Sequence, residues 1–212
     1  MRVFVLLATC VAWPALGLAQ PAALPKHDAS VSVGWAGSEY ERSSYDRWHG
    51  SLLISASGGH YWTDHLKTEI DVSWGSPDKQ DLYEDIAVQG GFTFAQSRFQ
   101  ARDIRFGVAQ IYQFGRNQWV HPYLGAGADV VSRTTTKERG EQLRTVYVSN
   151  RNLPITIPRL HERASDLFVE PFLKTGLKMY AAERLFFTTE LKLGIRRDID
   201  HAVWKVGIGV DF

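Results

Sequence analysis

The chain has 212 residues, 24 Lys+Arg against 23 Asp+Glu and a formal net charge of +1; 44% of it is hydrophobic and 12% aromatic, with 18 Gly and 7 Trp. That length suits one domain, and the charge balance gives no electrostatic case for nucleic acid as a partner. One cysteine, Cys10, leaves no disulfide framework and no cysteine-ligated metal site, and beyond the N-terminus no stretch approaches 18 uninterrupted apolar residues, so no transmembrane helix is expected.

The N-terminus reads as a secretory signal. Arg2 supplies a positive start, residues 3–12 an apolar core, Pro14 a break, and Gly17-Leu18-Ala19 small residues for cleavage. Cleavage is expected after Ala19, with Ala23 as the second choice. Pro14 and the short core argue against a membrane anchor. Leu7-Ala8-Thr9-Cys10 fits a lipoprotein box poorly and sits too early. Arg2 is the one cation lost with residues 1–19, so the remaining chain balances 23 cations against 23 acids.

Eight strands follow: residues 30–40, 48–58, 65–74, 104–114, 120–132, 167–180, 184–196 and 202–212. Each has about the ten residues needed to cross a bilayer at a tilt. Short polar turns at Trp62-Thr63-Asp64, Gly115-Arg116-Asn117-Gln118 and Ala181-Ala182-Glu183 join them in pairs. Leu66, Ile70, Val72 and Trp74 alternate with Lys67, Glu69 and Asp71; Leu167, Val169, Leu173, Leu177 and Met179 share one face, and Glu170, Lys174 and Lys178 the other. Phe187, Leu191, Leu193 and Ile195 oppose Glu190, Lys192 and Arg196. A soluble sandwich also alternates, but rarely repeats Lys and Glu so regularly over strands this long. On a lipid face each charge would cost about 2–4 kcal/mol at the midplane. Glu69, Asp71, Glu170, Lys174, Lys178, Glu190, Lys192, Arg196, Lys205 and Asp211 are therefore expected to point into a lumen. Trp62, Trp119, Tyr180 and Phe186 border the short turns and Tyr40, Trp48 and Trp74 the opposite ends, which suggests two aromatic girdles.

The long connections are residues 41–47, 75–103, 133–166 and 197–201. Counting residues 84–94 as one more membrane strand gives nine and misplaces the C-terminus, so a hairpin rising above the membrane is expected. Ten strands follow if Thr145-Val146-Tyr147-Val148 also crosses. In residues 133–165, Arg133, Lys137, Arg139, Arg144, Arg151, Arg159 and Arg163 face three acids, Glu138, Glu141 and Glu162. A solvated loop outweighs a binding surface for an acidic partner here.

The last strand places Trp204, Val206, Ile208, Val210 and Phe212 on every second residue, with Lys205, Gly207, Gly209 and Asp211 between. It resembles the closing strand of bacterial outer-membrane β-barrels, which end on an aromatic residue, most often Phe. The start of the fifth strand, His121-Pro122-Tyr123-Leu124-Gly125-Ala126-Gly127-Ala128, is similar to the Pro-Tyr-x-Gly-x-Gly start in small barrels of the outer-membrane-protein-A and -W kind. The resemblance covers most of residues 30–212. It implies an all-β fold, a closed antiparallel up-and-down transmembrane β-barrel of eight strands with an extracellular β-hairpin extension. Residues 1–19 would be signal peptide, 20–29 a short periplasmic segment and 30–212 the barrel. It further implies a monomer in the cell outer membrane of a Gram-negative bacterium, with outer-membrane lipid, lipopolysaccharide and the barrel assembly machinery as partners. The assembly signal would be Trp204, Val206, Ile208, Val210 and Phe212. A structural or surface-interaction role through the outer loops is expected, with a narrow porin-like channel as the alternative. An eight-stranded barrel is barely wide enough for its own side chains, which favours a packed interior.

Other chemistry is thin. None of the seven histidines forms a ligand pair with a third member; His60 and His65 could approach across a turn. His49-Gly50-Ser51 puts an imidazole and a hydroxyl on one strand face. Outer-membrane lipid A deacylases resemble this, but the flanking residues differ and no orienting acid is identifiable. No enzyme activity, cofactor or metal is expected.

Overall fold

The computed structural model describes residues 26–38, 49–76, 78–88, 91–114, 119–148, 151–195 and 199–212. These form β1 (His27–Ser38), β2 (His49–Tyr61), β3 (Leu66–Gly75), β4 (Asp78–Val88), β5 (Gly91–Gln113), β6 (Val120–Arg139), β7 (Gln142–Val148), β8 (Arg151–Ile157), β9 (Leu160–Tyr180), β10 (Leu185–Ile195) and β11 (Ile199–Asp211). The expected signal, Tyr40, Trp48, Arg196 and the Gly115-Arg116-Asn117-Gln118 turn lie outside the described residues.

Eight strands close a ring in the order β1-β2-β3-β5-β6-β9-β10-β11 and back to β1, each pair antiparallel. At the seam, His27 N–H donates to the Phe212 carbonyl at 3.0 Å and Phe212 N–H to the His27 carbonyl at 2.9 Å. Outward side chains are apolar and uncovered: Val31, Val33, Trp35, Ile54, Val72, Phe106, Leu173 and Trp204 are all exposed. Inward positions hold most of the charge. A water-soluble sandwich would have the opposite distribution; a barrel in lipid requires this one.

Ten strands are ruled out. β7 pairs with β8 alone, as a separate two-stranded sheet, and seven residues are too few to cross a bilayer. Residues 84–94 are not one strand either. Chain direction reverses between Val88 and Gly91, and the turn sets Phe92 beside Ala87 and Thr93 beside Ile86. Even-numbered residues before and after the turn thus occupy opposite faces, so the apparent run of alternation describes no single face. The expected hairpin above the membrane is β4 with the upper half of β5.

The connections read as loops 75–103 and 133–166 are mostly sheet. β5, β6 and β9 are 23, 20 and 21 residues long, roughly twice a crossing. Their outer halves stay paired, Arg98 with Glu138 and Lys137 with Glu162, so a wall stands above the membrane on one side of the ring. β4 extends it by pairing with β5. β7 lies against β5, where Ala95 and Ser97 are fully buried, and Val146 and Ile157 of the β7–β8 hairpin are buried as well. Beyond the last β5–β6 pair, the Gln142 side chain serves as the next rung. Its amide donates to the Gln96 carbonyl at 2.6 Å, and its oxygen accepts the Gln96 N–H at 3.2 Å.

Replacing residues 140–159 by a two-residue Asn-Gly turn is expected to leave the ring intact, since β7 and β8 pair only with each other. Unboiled and boiled samples of that variant should still migrate differently on a detergent gel; a single mobility would show that the hairpin is needed for closure.

Candidate functional site

The lumen is the first candidate. Glu69, Asp71, Glu170, Lys174, Lys178, Glu190, Lys192, Lys205 and Asp211 are all buried there. With Asp28, Lys67, Arg105 and Asp129 they form two stacked networks of ion pairs, one from Asp211 to Lys205 and one from Asp71 to Glu170. At the periplasmic end, Lys178 Nζ donates to Asp211 at 2.6 Å, to Asp28 at 3.1 Å and to the Tyr61 hydroxyl at 3.0 Å. Lys67 bridges Asp28 at 2.9 Å and Glu69 at 2.7 Å. Mid-barrel, Lys174 lies between Glu69 and Glu190, which also takes Lys205 at 2.9 Å and the Tyr123 hydroxyl at 2.9 Å. Higher up, Lys192 reaches Asp129 at 2.7 Å and Asp71 at 3.5 Å. Arg105 bonds Glu170 and meets Asp103 at 3.0 Å, and Arg133 grips Asp103 through two bonds of 2.8 and 2.9 Å.

Two rings finish the packing. Lys178 stands 3.9 Å from the centroid of Phe186, and Lys192 3.8 Å from that of Phe172. Phe186 is therefore a lumen residue. Tyr180 also faces inward, its hydroxyl on Asp211. Their place beside a turn predicts a girdle position for both, but Tyr180 shares parity with Lys174 and Lys178, and Phe186 with Glu190 and Lys192. Phe187, Tyr112, Phe114 and Phe212 present the outward rings at that end, with Trp62. Glycines make the room: a Cβ on Gly176 would meet the Tyr123 ring, and one on Gly107 the carboxylates of Asp71 and Asp129. Two spaces border the network among the described residues: a cavity of about 30 Å³ beside Asp28, Lys67, Glu69 and Glu190, room for a water or two, and a periplasmic vestibule of about 210 Å³ lined by Tyr61, Trp62, Gln113, His121 and Tyr180.

Arg105, Asp129, Asp103 and Arg133 were missed from the sequence. Parity would have found them, because Ile104, Phe106 and Val108 point outward and leave 103, 105 and 107 inside. Five of the closing-strand residues, Trp204, Val206, Ile208, Val210 and Phe212, face outward and are exposed. The histidines are not brought together as a His60–His65 pair. His60 Nδ1 lies 3.3 Å from Nδ1 of His27, directly opposite in the ladder, while His65 Nδ1 is 3.0 Å from the Gln113 carbonyl. Ser51 shares the lumen parity of Leu53 and Ser55, and the His49 side chain lies outside the described residues.

The outer wall is the second candidate. The cations of residues 133–165 do not form one basic loop. Arg133 and Lys137 turn inward, to Asp103 and Glu84, whereas Arg144, Arg151, Arg159 and Arg163 are exposed.

Arg105→Met strands Glu170 and Asp129 in a dry interior and should destabilise the barrel by about 3–5 kcal/mol. Arg98→Ala, which breaks an exposed pair with Asp81 at 3.6 Å, should cost under about 1 kcal/mol. Urea unfolding in lipid vesicles measures both; equal effects would mean that the lumen network is solvated.

The outer membrane protein beta-barrel domain family matches residues 8–212. No curated protein sequence matches the chain. Among solved structures, the neisserial surface protein A is similar at 12% identity and a TM-score of 0.53, over 88% of this chain and 97% of that one. The attachment invasion locus protein Ail of Yersinia pestis, solved with the heparin analogue sucrose octasulfate, is similar at 11% identity and a TM-score of 0.51, over 88% of this chain and 99% of that one. Both likenesses concern the fold.

Proposed function

The chain belongs to the outer membrane protein beta-barrel domain family, and we propose that it is a non-conducting barrel of the cell outer membrane whose surface-interaction role is carried by the wall of β4, β5, β6 and β9. The observation that carries this reading is the filled lumen. Six buried lysines and arginines stand among seven buried carboxylates along it, and the cavity beside Asp28 and Glu190 measures only about 30 Å³. A hydrated ion has no path through such a network without breaking several buried pairs at once. The extra length of β5, β6 and β9 does nothing for the crossing, so its use lies outside the membrane.

The same reading takes the protein as a monomer without catalytic function, exported by a signal cleaved after Ala19. Trp204, Val206, Ile208, Val210 and Phe212 serve as its tag for the assembly machinery. Outer-membrane lipid is its surrounding partner. A porin-like channel is the competing role, and the vestibule at the periplasmic end is the one feature that favours it.

Planar-bilayer recordings should show no discrete conductance for the native chain, and steps should appear for an Arg105→Ala/Lys192→Ala/Lys174→Ala variant that removes three cations of the plug. Conductance steps from the native chain would replace this reading by the channel. Ser51→Ala should leave the acylation of lipid A unchanged in the producing cells; a change there would restore the enzyme reading.

A further inference from the structure

Outward parity continues from the lipid belt into the wall. Below the belt's outer edge, Ile104, Ser132 and Leu167 form one row across β5, β6 and β9. The next row up is Arg102, Thr134 and Ser165, and the one above it is Lys79, Gln100, Thr136 and Arg163. Successive rows are about 7 Å apart along tilted strands, so these two rows stand roughly 5 and 10 Å above the hydrocarbon. That is the headgroup layer.

We propose that these two rows form a binding strip for the phosphate groups of a glycolipid in the outer leaflet. The proposal rests on the reading of the chain as an outer-membrane barrel with its wall outward. Three observations carry it. First, Lys79, Arg102 and Arg163 are exposed and make no ion pair among the described residues. Inward cations on the same strands are treated differently: Arg105, Arg133 and Lys137 each meet an acid. Second, outward acids begin only in the third row, and there they are matched, Asp81 with Arg98 at 3.6 Å and Glu138 with His161 at 3.3 Å. The two rows nearest the lipid are thus cationic with no acid among them. Third, the residues between the cations are Thr134, Thr136, Ser165 and Gln100, hydroxyl and amide donors suited to phosphate oxygens, with Thr134 and Ser165 3.4 Å apart. The Arg102 guanidinium lies 5.9 Å from the centroid of Trp74, which holds it level with the belt's edge. Arg102 and Arg163 are two strands apart, about 10 Å across the sheet, so both side chains can close on phosphates lying over Thr134 and Thr136. Arg144, Arg151 and Arg159 are also exposed but lie beyond these rows, on or beside the β7–β8 hairpin; the position of Arg102 and Arg163 beside the apolar belt selects a ligand that is anchored in the leaflet.

The test uses the full chain in neutral detergent micelles, with native mass spectrometry of retained lipid. Bis-phosphorylated lipid A should be retained, and the same glycolipid stripped of phosphate should not. Arg102→Gln/Arg163→Gln should weaken retention about tenfold or more, and Arg163→Gln alone should weaken it by less. Arg151→Gln/Arg159→Gln, which removes the same charge elsewhere on the outer surface, should bind as the native chain does. Retention unchanged by Arg102→Gln/Arg163→Gln, equal retention of the stripped glycolipid, or equal loss in the Arg151/Arg159 variant would each overturn the strip. Displacement by inorganic phosphate at the same concentration as lipid A would overturn the lipid source. Each sample is also run with and without boiling. A native chain with one mobility would overturn the barrel reading itself, whereas a heat-shifted native chain that ignores lipid A overturns only the strip.

Discussion

Hydrocarbon offers no partner to a peptide N–H or C=O, and the pairing of β1 with β11 removes the two edges that an open sheet would leave in it. The seam runs from Asp28 opposite Asp211 to Ser38 opposite His201 without a break in register. Much else follows from this closure. Eight strands give a narrow ring; the narrow ring forces every inward side chain against those across the lumen; and the lipid outside leaves charge nowhere else to go.

Burying so much charge costs free energy before any pair forms. The lumen offsets that cost by connection rather than by isolated contacts. Lys178 answers two carboxylates and a phenol, Lys67 two carboxylates, and Glu190 two lysines and Tyr123. A side chain already held by one partner loses little further freedom to a second. Phe172 and Phe186 belong to the same arrangement, as the faces on which Lys192 and Lys178 rest. The interior is a polar core turned inside out, and its glycines are the places where a large neighbour needs the volume.

Among the described residues the sheet above the membrane stands on one side of the ring. β1 and β10 are described as far as Ser38 and Ile195, near the lipid edge, while β5, β6 and β9 run well past it. That wall has two unlike faces. The inner one is covered over β5 by the β7–β8 hairpin and elsewhere carries pairs such as Lys137 with Glu84. Next to the membrane the outer one changes from apolar to cationic to mixed charge within three rows, as a surface does when it passes out of hydrocarbon through headgroups, and above them it presents Tyr83, Phe94 and Phe92.

The amino-acid sequence by itself determined the class of the fold, the place of the eight crossings and the face of nearly every side chain in them. Those are local properties: period-two alternation in a strand needs only the strand's own residues. It also determined that the charges of β3, β9, β10 and β11 share a lumen. The tertiary structure alone decided which of them meet. Lys178 and Asp28 are 150 residues apart, and only ring closure makes them neighbours. It decided too that residues 133–139 and 160–166 are sheet, because strands wet on both faces show no alternation to read. The hairpin at residues 88–91 exchanged inside for outside in a turn too short to break the pattern. Tyr180 and Phe186 went to the lumen because parity, not nearness to a turn, sets the direction of a side chain.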